Sequence, residues 1–206
     1  EIFLRSLGGR YYNPLPDEDV KPYAQASINP FALEDTQENR EFLSGWLVLL
    51  VGGAAGVAGL YEQCKRAVGD VIVLPVEQRS LAACIGFLRQ HSPEAADLFQ
   101  PWLEGGEYAS LFASGKETLS FDAKVLGFDM TSLMQHGDPL LPVTAYLLHR
   151  MKQQLDGKPA IIVMREAWTL LDNPYFLPQM QSLLDGLRTR NAMVILETDH
   201  VGDLFG

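Results

Sequence analysis

One segment decides the fold prediction: Pro159-Ala160-Ile161-Ile162-Val163-Met164-Arg165-Glu166-Ala167-Trp168. Five apolar residues run without interruption from Ala160 to Met164, a pattern typical of a strand buried on both faces of a parallel sheet. Arg165 and Glu166 follow at once. Because ligands of open α/β sheets bind beyond the carboxyl ends of the strands, Glu166 is a candidate functional carboxylate. The alternative is a charged strand end that faces solvent.

The segments around this strand predict alternating strands and helices. Residues 10–12, 118–121, 124–129 and 192–196 are expected to form strands, and residues 138–155 and 173–189 to form helices. A helix is also expected over 1–7, with Gly8-Gly9 ending it. Because strand, helix, strand, helix, strand is the order of right-handed βαβ crossovers, the predicted fold class is α/β with a parallel sheet.

Residues 35–103 form a second region, which is predicted to be helical. Asp35-Thr36-Gln37-Glu38 has the spacing of a capping box and predicts a helix that reaches about residue 51. Residues 42–60 carry no charge and approach the roughly 20 residues that cross a membrane. Five glycines interrupt them, and no basic flank marks one side. We therefore expect two helices joined at Gly52-Gly53, with a membrane span as the alternative.

Composition and single residues exclude several classes of site. The net charge is −10, with 16 Lys and Arg against 26 Asp and Glu, which argues against a nucleic-acid surface. Cys64 and Cys84 do not have zinc-site spacing, and we expect them to be reduced core residues of a cytosolic protein. The four histidines are scattered, so no metal site is predicted. The chain is expected to carry no signal peptide and to be cut from a longer protein at both ends.

A phosphate-binding loop is not found in the 206 residues. The pattern G-x-x-x-x-G-K-[ST] is absent; Gly115-Lys116 is followed by Glu117, and Gly157-Lys158 is followed by Pro159. Without that loop, the chain offers neither its backbone N–H groups nor its lysine to the phosphates of a nucleotide.

Several motifs nevertheless occur in an order that resembles one family, the CagE/TrbE/VirB traffic ATPases of type IV secretion and conjugation systems. The resemblance covers nearly the whole chain. Its motifs are residues 1–9, Ile28-Asn29-Pro30-Phe31, residues 101–106, Gly127-Phe128-Asp129-Met130-Thr131, residues 155–157, residues 161–172 and Leu187-Arg188-Thr189-Arg190-Asn191-Ala192.

The resemblance implies an architecture and a setting. The fold would be a partial RecA-like P-loop NTPase sheet, with an incomplete nucleotide-hydrolase core over 1–34 and 104–206 and an all-helical insertion over 35–103. The family has its P-loop just before a segment like 1–9, so the chain is expected to begin downstream of it. The complete protein would use ATP and Mg²⁺, while this fragment would bind neither tightly. Its partners would be other secretion components and copies of itself in a hexamer, at the cytoplasmic face of the bacterial inner membrane, with peripheral membrane association.

The resemblance also assigns roles at the end of the central strand. Glu166 matches the catalytic base that polarises water. Arg165 stands where the family has the aspartate that holds Mg²⁺ through its water shell, and a cation there should repel the metal. Asp129 and Thr131 match the family's motif at another strand end, with capping of the following helix as the alternative.

Four further positions also correspond to family features. The family has Thr-Gln after the last strand, with the Gln sensing the γ-phosphate, whereas Thr198 is followed here by Asp199. Arg188 and Arg190 could reach the phosphate of a neighbouring subunit, although a helix C-terminus favours cations in any case.

Two functions of different class follow. The first is the C-terminal part of a type IV secretion traffic ATPase, which is inactive as this fragment alone and hydrolyses ATP in the complete protein to drive assembly or substrate transfer. The alternative is a degenerate pseudo-ATPase that serves as a structural subunit of the secretion apparatus. Glu166 favours the first, whereas Arg165 and Asp199 favour the second. A third hypothesis, a membrane-spanning component, depends only on residues 42–60.

Overall fold

Residues 2–15, 27–52, 58–112, 115–166, 168–171 and 176–198 are described in the computed structural model. The chain separates into two units, residues 1–143 and 144–206, and each is described here by itself. The first unit holds seven helices among its described residues, and an eighth begins in it. They are α1 (Ile2–Ser6), α2 (Gln37–Leu50), α3 (Leu60–Ile72), α4 (Leu81–His91), α5 (Pro93–Asp97), α6 (Ala109–Phe112), α7 (Thr131–His136) and α8 (Leu140–Gln154), which continues into the second unit.

A short parallel sheet joins two distant parts of the first unit. Strand β1 (Arg10–Tyr12) pairs with β2 (Leu126–Phe128), with Tyr11 opposite Gly127. The strand predicted over 118–121 is wrong, because that segment has no regular secondary structure. The Glu117 carboxylate accepts the backbone N–H of Leu119, two residues away, and that of Asn29, 88 residues away in the chain, so bonds to a side chain take the place of a strand ladder.

Helix α2 begins one residue later than the sequence pattern predicts. Its N-cap is Thr36, whose hydroxyl accepts the N–H of Asn39 at 3.1 Å. Asp35, the acceptor of the predicted capping box, pairs with Arg40. The helix ends at Leu50, so the uncharged residues 42–60 are not one continuous helix. In the described part of the chain, no helix combines the length and apolarity that crossing a membrane requires.

Two tryptophans hold the core of the first unit around α2. Trp46 is fully buried, donates Nε1–H to the Pro142 carbonyl at 2.9 Å and meets the Phe112 ring edge-on at 5.1 Å. Trp102 donates its Nε1–H to the Leu50 carbonyl at 3.0 Å. This bond satisfies one of the carbonyls that a helix leaves unpaired at its C-terminus. Between residues 35 and 103 the described residues form helices and 3₁₀ turns without a strand; the division of the chain into a core and an insertion stays a prediction.

The second unit contains a parallel β–α–β arrangement. Strand β3 (Ala160–Arg165) is followed by α9 (Trp168–Leu171), α10 (Phe176–Leu187), a 3₁₀ turn over Arg188–Arg190 and β4 (Ala192–Glu197). The two strands pair over their full length, from Ala160 opposite Ala192 to Arg165 opposite Glu197. Helix α10 buries one stripe at helical spacing, formed by Phe176, Met180, Leu183 and Leu187.

The burial of β3 differs from the sequence prediction. Ile162 is buried, but Ile161 and Val163 are 64% and 58% exposed. Successive side chains of a strand point to opposite faces of its sheet, so β3 has one covered face and one open face. The prediction that this strand is buried on both faces is therefore wrong for this chain.

Candidate functional site

Glu166 directly follows β3 and has an unusual backbone conformation. Its φ of 51° lies in the left-handed region, which residues with a side chain rarely adopt. Its N–H donates to the Glu197 carbonyl at 2.9 Å, so the sheet ladder continues through this residue and holds it in that conformation. Strained backbone of this kind costs about 1–3 kcal/mol and occurs preferentially at functional sites. The partly buried Glu166 is thus a carboxylate residue whose backbone is fixed at a strand end.

Arg165 has a partner on the adjacent strand. It lies directly opposite Glu197 in the register, and its Nε is 3.3 Å from Oε2 of that residue. The two side chains are 65% and 48% exposed. Arg165 belongs to the face of β3 that also carries Ile161 and Val163. By resemblance, Arg165 stands at a metal-holding position, and its positive charge is therefore paired with the Glu197 carboxylate on β4.

Asp129 follows β2, and both of its carboxylate oxygens accept hydrogen bonds. Tyr11 donates its hydroxyl to Oδ2 at 2.7 Å, and the Thr131 backbone N–H donates to Oδ1 at 3.0 Å. Partial burial raises the pKa of Asp129, but the hydrogen bonds from Tyr11 and Thr131 outweigh burial and leave the pKa below its ordinary value. Asp129 is thus an ionised residue that orders the start of α7, whose first residue is Thr131.

The remaining predicted residues have different surroundings. Thr198 is partly buried after β4, and Asp199 lies outside the described residues. Arg188 begins the 3₁₀ turn after α10, and its side chain also lies outside the described part of the chain. Arg190 donates from Nη1 to the Lys152 carbonyl at 2.6 Å, which satisfies a backbone acceptor in the last turn of α8.

The structure therefore groups only some of the candidates. The paired ends of β3 and β4 bring Arg165 and Glu166 beside Glu197 in the second unit, while Asp129 and Thr131 belong to the first. Sequence reasoning missed Glu197, although the equal apolar runs of the two strands could have suggested its register. It also missed Tyr11, which lies 118 residues from its partner Asp129 and has no local signal.

Mg²⁺ is the metal that the resemblance implies. Among the described residues, no group of three or more His, Cys, Asp or Glu side chains could hold a metal ion. The side chain at the expected metal-holding position, Arg165, is a cation. These residues do not fit a metal held by the protein's own side chains.

No family model matches the chain, but individual curated proteins do. It is 30% identical over 206 residues to the type IV secretion system protein VirB4 of Bartonella henselae, covering 98% of this chain and 26% of that protein. It is 25% identical over 218 residues to the type IV secretion system protein PtlC of Bordetella pertussis, covering 100% of this chain and 26% of that protein. It is 26% identical over 201 residues to a probable conjugal transfer protein TrbE of Sinorhizobium fredii, covering 96% of this chain and 30% of that protein.

A solved structure has a similar fold. The structure of VirB4 of Thermoanaerobacter pseudethanolicus matches with a TM-score of 0.72 at 18% identity, covering 99% of this chain and 60% of that one. The predicted α/β class is confirmed at the level of helices and small parallel sheets. The chain spans about a quarter of the length of the VirB4 and PtlC relatives it matches.

Proposed function

Because the chain is related over its whole length to the VirB4/TrbE family of type IV secretion proteins, we propose that it forms the distal part of a nucleotide-hydrolase domain in such a protein. In this proposal the strands belong to a RecA-like sheet, and the complete protein hydrolyses ATP to drive assembly or substrate transfer. The observation that carries the proposal is coverage, since VirB4, PtlC and TrbE proteins match 96 to 100% of the chain.

The geometry at the end of β3 supports a role for Glu166 in that reaction. The Glu166 backbone N–H donates to the Glu197 carbonyl. This bond fixes the Glu166 backbone at the strand end where α/β proteins bind their ligands. A positioned carboxylate there orients an attacking water and accepts its proton. The substrate of the proposed reaction is ATP with its Mg²⁺ ion.

The setting of the proposed protein follows from the same relationship. We assign it to the cytoplasmic face of the inner membrane, in contact with other components of the secretion system and with copies of itself. A direct nucleic-acid surface is not part of the proposal, because the net charge of −10 disfavours phosphate binding.

Phosphate release by the native polypeptide tests the catalytic role. Glu166→Gln should lower steady-state ATP hydrolysis by about 10²–10⁴-fold, the range that a general base contributes, while nucleotide binding is retained. Glu62→Gln, an exposed change on α3, is the matched control and should leave the rate unchanged. The 206-residue chain by itself should not hydrolyse ATP, because it contains no phosphate-binding loop. Unchanged hydrolysis by the native polypeptide with Glu166→Gln would overturn the catalytic role of Glu166, whereas hydrolysis by the 206-residue chain would overturn only the expectation that this chain alone is inactive.

One observation favours the alternative, a pseudo-ATPase with a structural role. Arg165, at the family's aspartate position, pairs with Glu197. In that case the native polypeptide would bind nucleotide without hydrolysing it, and Glu166→Gln would leave secretion intact. Arg165→Asp distinguishes the two functions when combined with Glu197→Gln, which removes the carboxylate that would otherwise face the new one. A gain of hydrolysis in this double variant would identify Arg165 as the lesion of a degenerate site.

A further inference from the structure

The carboxyl ends of β3 and β4 carry one cation together with two carboxylates. Arg165 is the last residue of β3, Glu166 follows it, and Glu197, the last residue of β4, lies opposite Arg165 in the register. Ligands of parallel α/β sheets bind beyond the carboxyl ends of the strands. Arg165 is therefore a cationic residue at the edge of the sheet where a ligand is expected.

The contact between Arg165 and Glu197 is of a kind that a ligand can replace. It joins Nε to Oε2 at 3.3 Å, and the two side chains are 65% and 48% exposed. Exposed ion pairs contribute little to stability, because water screens them and two long side chains lose freedom when they pair. The backbone bond from Glu166 to the Glu197 carbonyl does not involve either side chain of the pair. Arg165 can therefore leave Glu197 while the two strands stay paired.

A triphosphate is a stronger partner for Arg165 than Glu197 is. A planar guanidinium donates two parallel hydrogen bonds to phosphate oxygens, and such charge-assisted bonds are roughly twice as strong as neutral ones. A triphosphate also carries several negative charges against the single charge of Glu197, and the attraction grows with that charge. Removing the metal ion of a nucleotide increases its negative charge, so Arg165 should attract the metal-free nucleotide more strongly.

The same cation disfavours a divalent metal held by the protein. A metal ion beside Arg165 would meet a charge of its own sign. Within the part of the chain that the structure describes, no cluster of three or more His, Cys, Asp or Glu side chains could hold such an ion. Arginines and metal ions both neutralise charge on phosphates. The residues at this strand end fit the arginine and do not fit the metal.

We propose that Arg165 exchanges Glu197 for the phosphates of a bound nucleotide, and that nucleotide affinity in the native polypeptide is therefore independent of Mg²⁺. The inference rests on the proposed function, because it takes the nucleotide site to lie at the end of β3. It concerns binding alone, since the metal ion used in hydrolysis arrives with the substrate.

Binding of a fluorescent ATP analogue to the native polypeptide, in excess Mg²⁺ and in excess EDTA, tests the proposal. The two wild-type dissociation constants should agree within experimental error. Arg165→Gln should weaken binding in EDTA by about tenfold or more, as expected for loss of a hydrogen bond to a charged group, and should weaken it less in Mg²⁺. Glu197→Gln removes the competing carboxylate and should tighten binding in EDTA by up to about fivefold.

Lys158→Gln is the matched control. Lys158 precedes the amino end of β3, and its side chain is 84% exposed. The change removes one positive charge from the same unit, at the opposite end of the same strand, and should leave both dissociation constants unchanged. Thermal unfolding of every variant establishes that each is folded under the binding conditions.

Three results would overturn the inference while leaving a nucleotide site in place. Wild-type binding that is clearly weaker in EDTA would mean that a metal ion contributes to affinity. Equal losses with Arg165→Gln and Lys158→Gln would mean that overall charge acts, not a contact of Arg165. Unchanged binding with Glu197→Gln would mean that the ligand does not compete with Glu197. Absence of nucleotide binding in both buffers would instead refute the proposed function, and the inference with it.

Discussion

Reversing the charge of Arg165 should destabilise the second unit through Glu197. Arg165→Asp places two carboxylates directly opposite each other at the ends of β3 and β4, where the wild-type Nε lies 3.3 Å from Oε2. In water, two unit charges at this separation interact by about 1.3 kcal/mol. The side chains are 65% and 48% exposed, so side-chain entropy and screening reduce the net attraction to about 0.5 kcal/mol.

The expected cost of charge reversal follows from these terms. Loss of the attraction and gain of a similar cross-strand repulsion together amount to about 1 kcal/mol. For a chain of this size, that change lowers the melting temperature by about 2–4 °C. Arg165→Gln removes only the attraction and should lower it by about half as much.

A double-mutant cycle measures the interaction itself. Thermal unfolding of Arg165→Asp, Glu197→Lys and the combined variant should give two destabilised single variants and a combined variant close to wild type. Because the pair is exposed, the differences should shrink at about 1 M salt, where the Debye length falls to about 3 Å. Additive effects in the cycle would refute the reasoning, since they would mean that the two side chains do not interact.

Two more predictions concern the first unit. Tyr11→Phe removes a hydrogen bond that opposes the effect of burial and lowers the pKa of Asp129; it should cost about 1 kcal/mol at pH 7, and the cost should be smaller at pH 3, because the bond to the ionised carboxylate is stronger than the bond to the protonated one. Urea unfolding at pH 7 and pH 3 measures this, with the exposed Tyr61→Phe as control. Trp46→Phe removes a fully buried indole and leaves the Pro142 carbonyl without that donor; it should cost about 2–4 kcal/mol in urea unfolding, and a loss below about 0.5 kcal/mol would contradict the assigned role.

Local signals explain why much of the secondary structure could be predicted. Ser92-Pro93 predicts a helix start, and α5 begins at Pro93 with Ser92 as its N-cap. The helix predicted over 138–155 is α8, and the strands predicted over 160–164 and 192–196 are β3 and β4. Such signals depend on neighbouring residues alone, because a cap bonds to the next turn and an apolar run reflects burial along one segment.

Non-local contacts explain what could not be predicted. The bond from Tyr11 to Asp129 joins residues 118 apart, and nothing near either residue indicates the other. The segment 118–121 has the composition of a strand, but the Glu117 carboxylate takes the backbone N–H of Leu119 and that of the distant Asn29. A side chain and a neighbouring strand compete for the same backbone N–H groups, and the tertiary fold determines which of the two lies close enough to bind them.

The sequence by itself determined that β3 is an apolar strand, that Glu166 directly follows it, and that the motif order resembles the VirB4/TrbE proteins. These properties depend on consecutive residues. The tertiary structure alone decided that Arg165 meets Glu197 and that Glu166 adopts a left-handed backbone. It also decided which side of β3 is covered. An apolar run indicates that a strand is to be buried, but the pairing register and the packing of helices on the sheet determine which face is buried and which residues cover it.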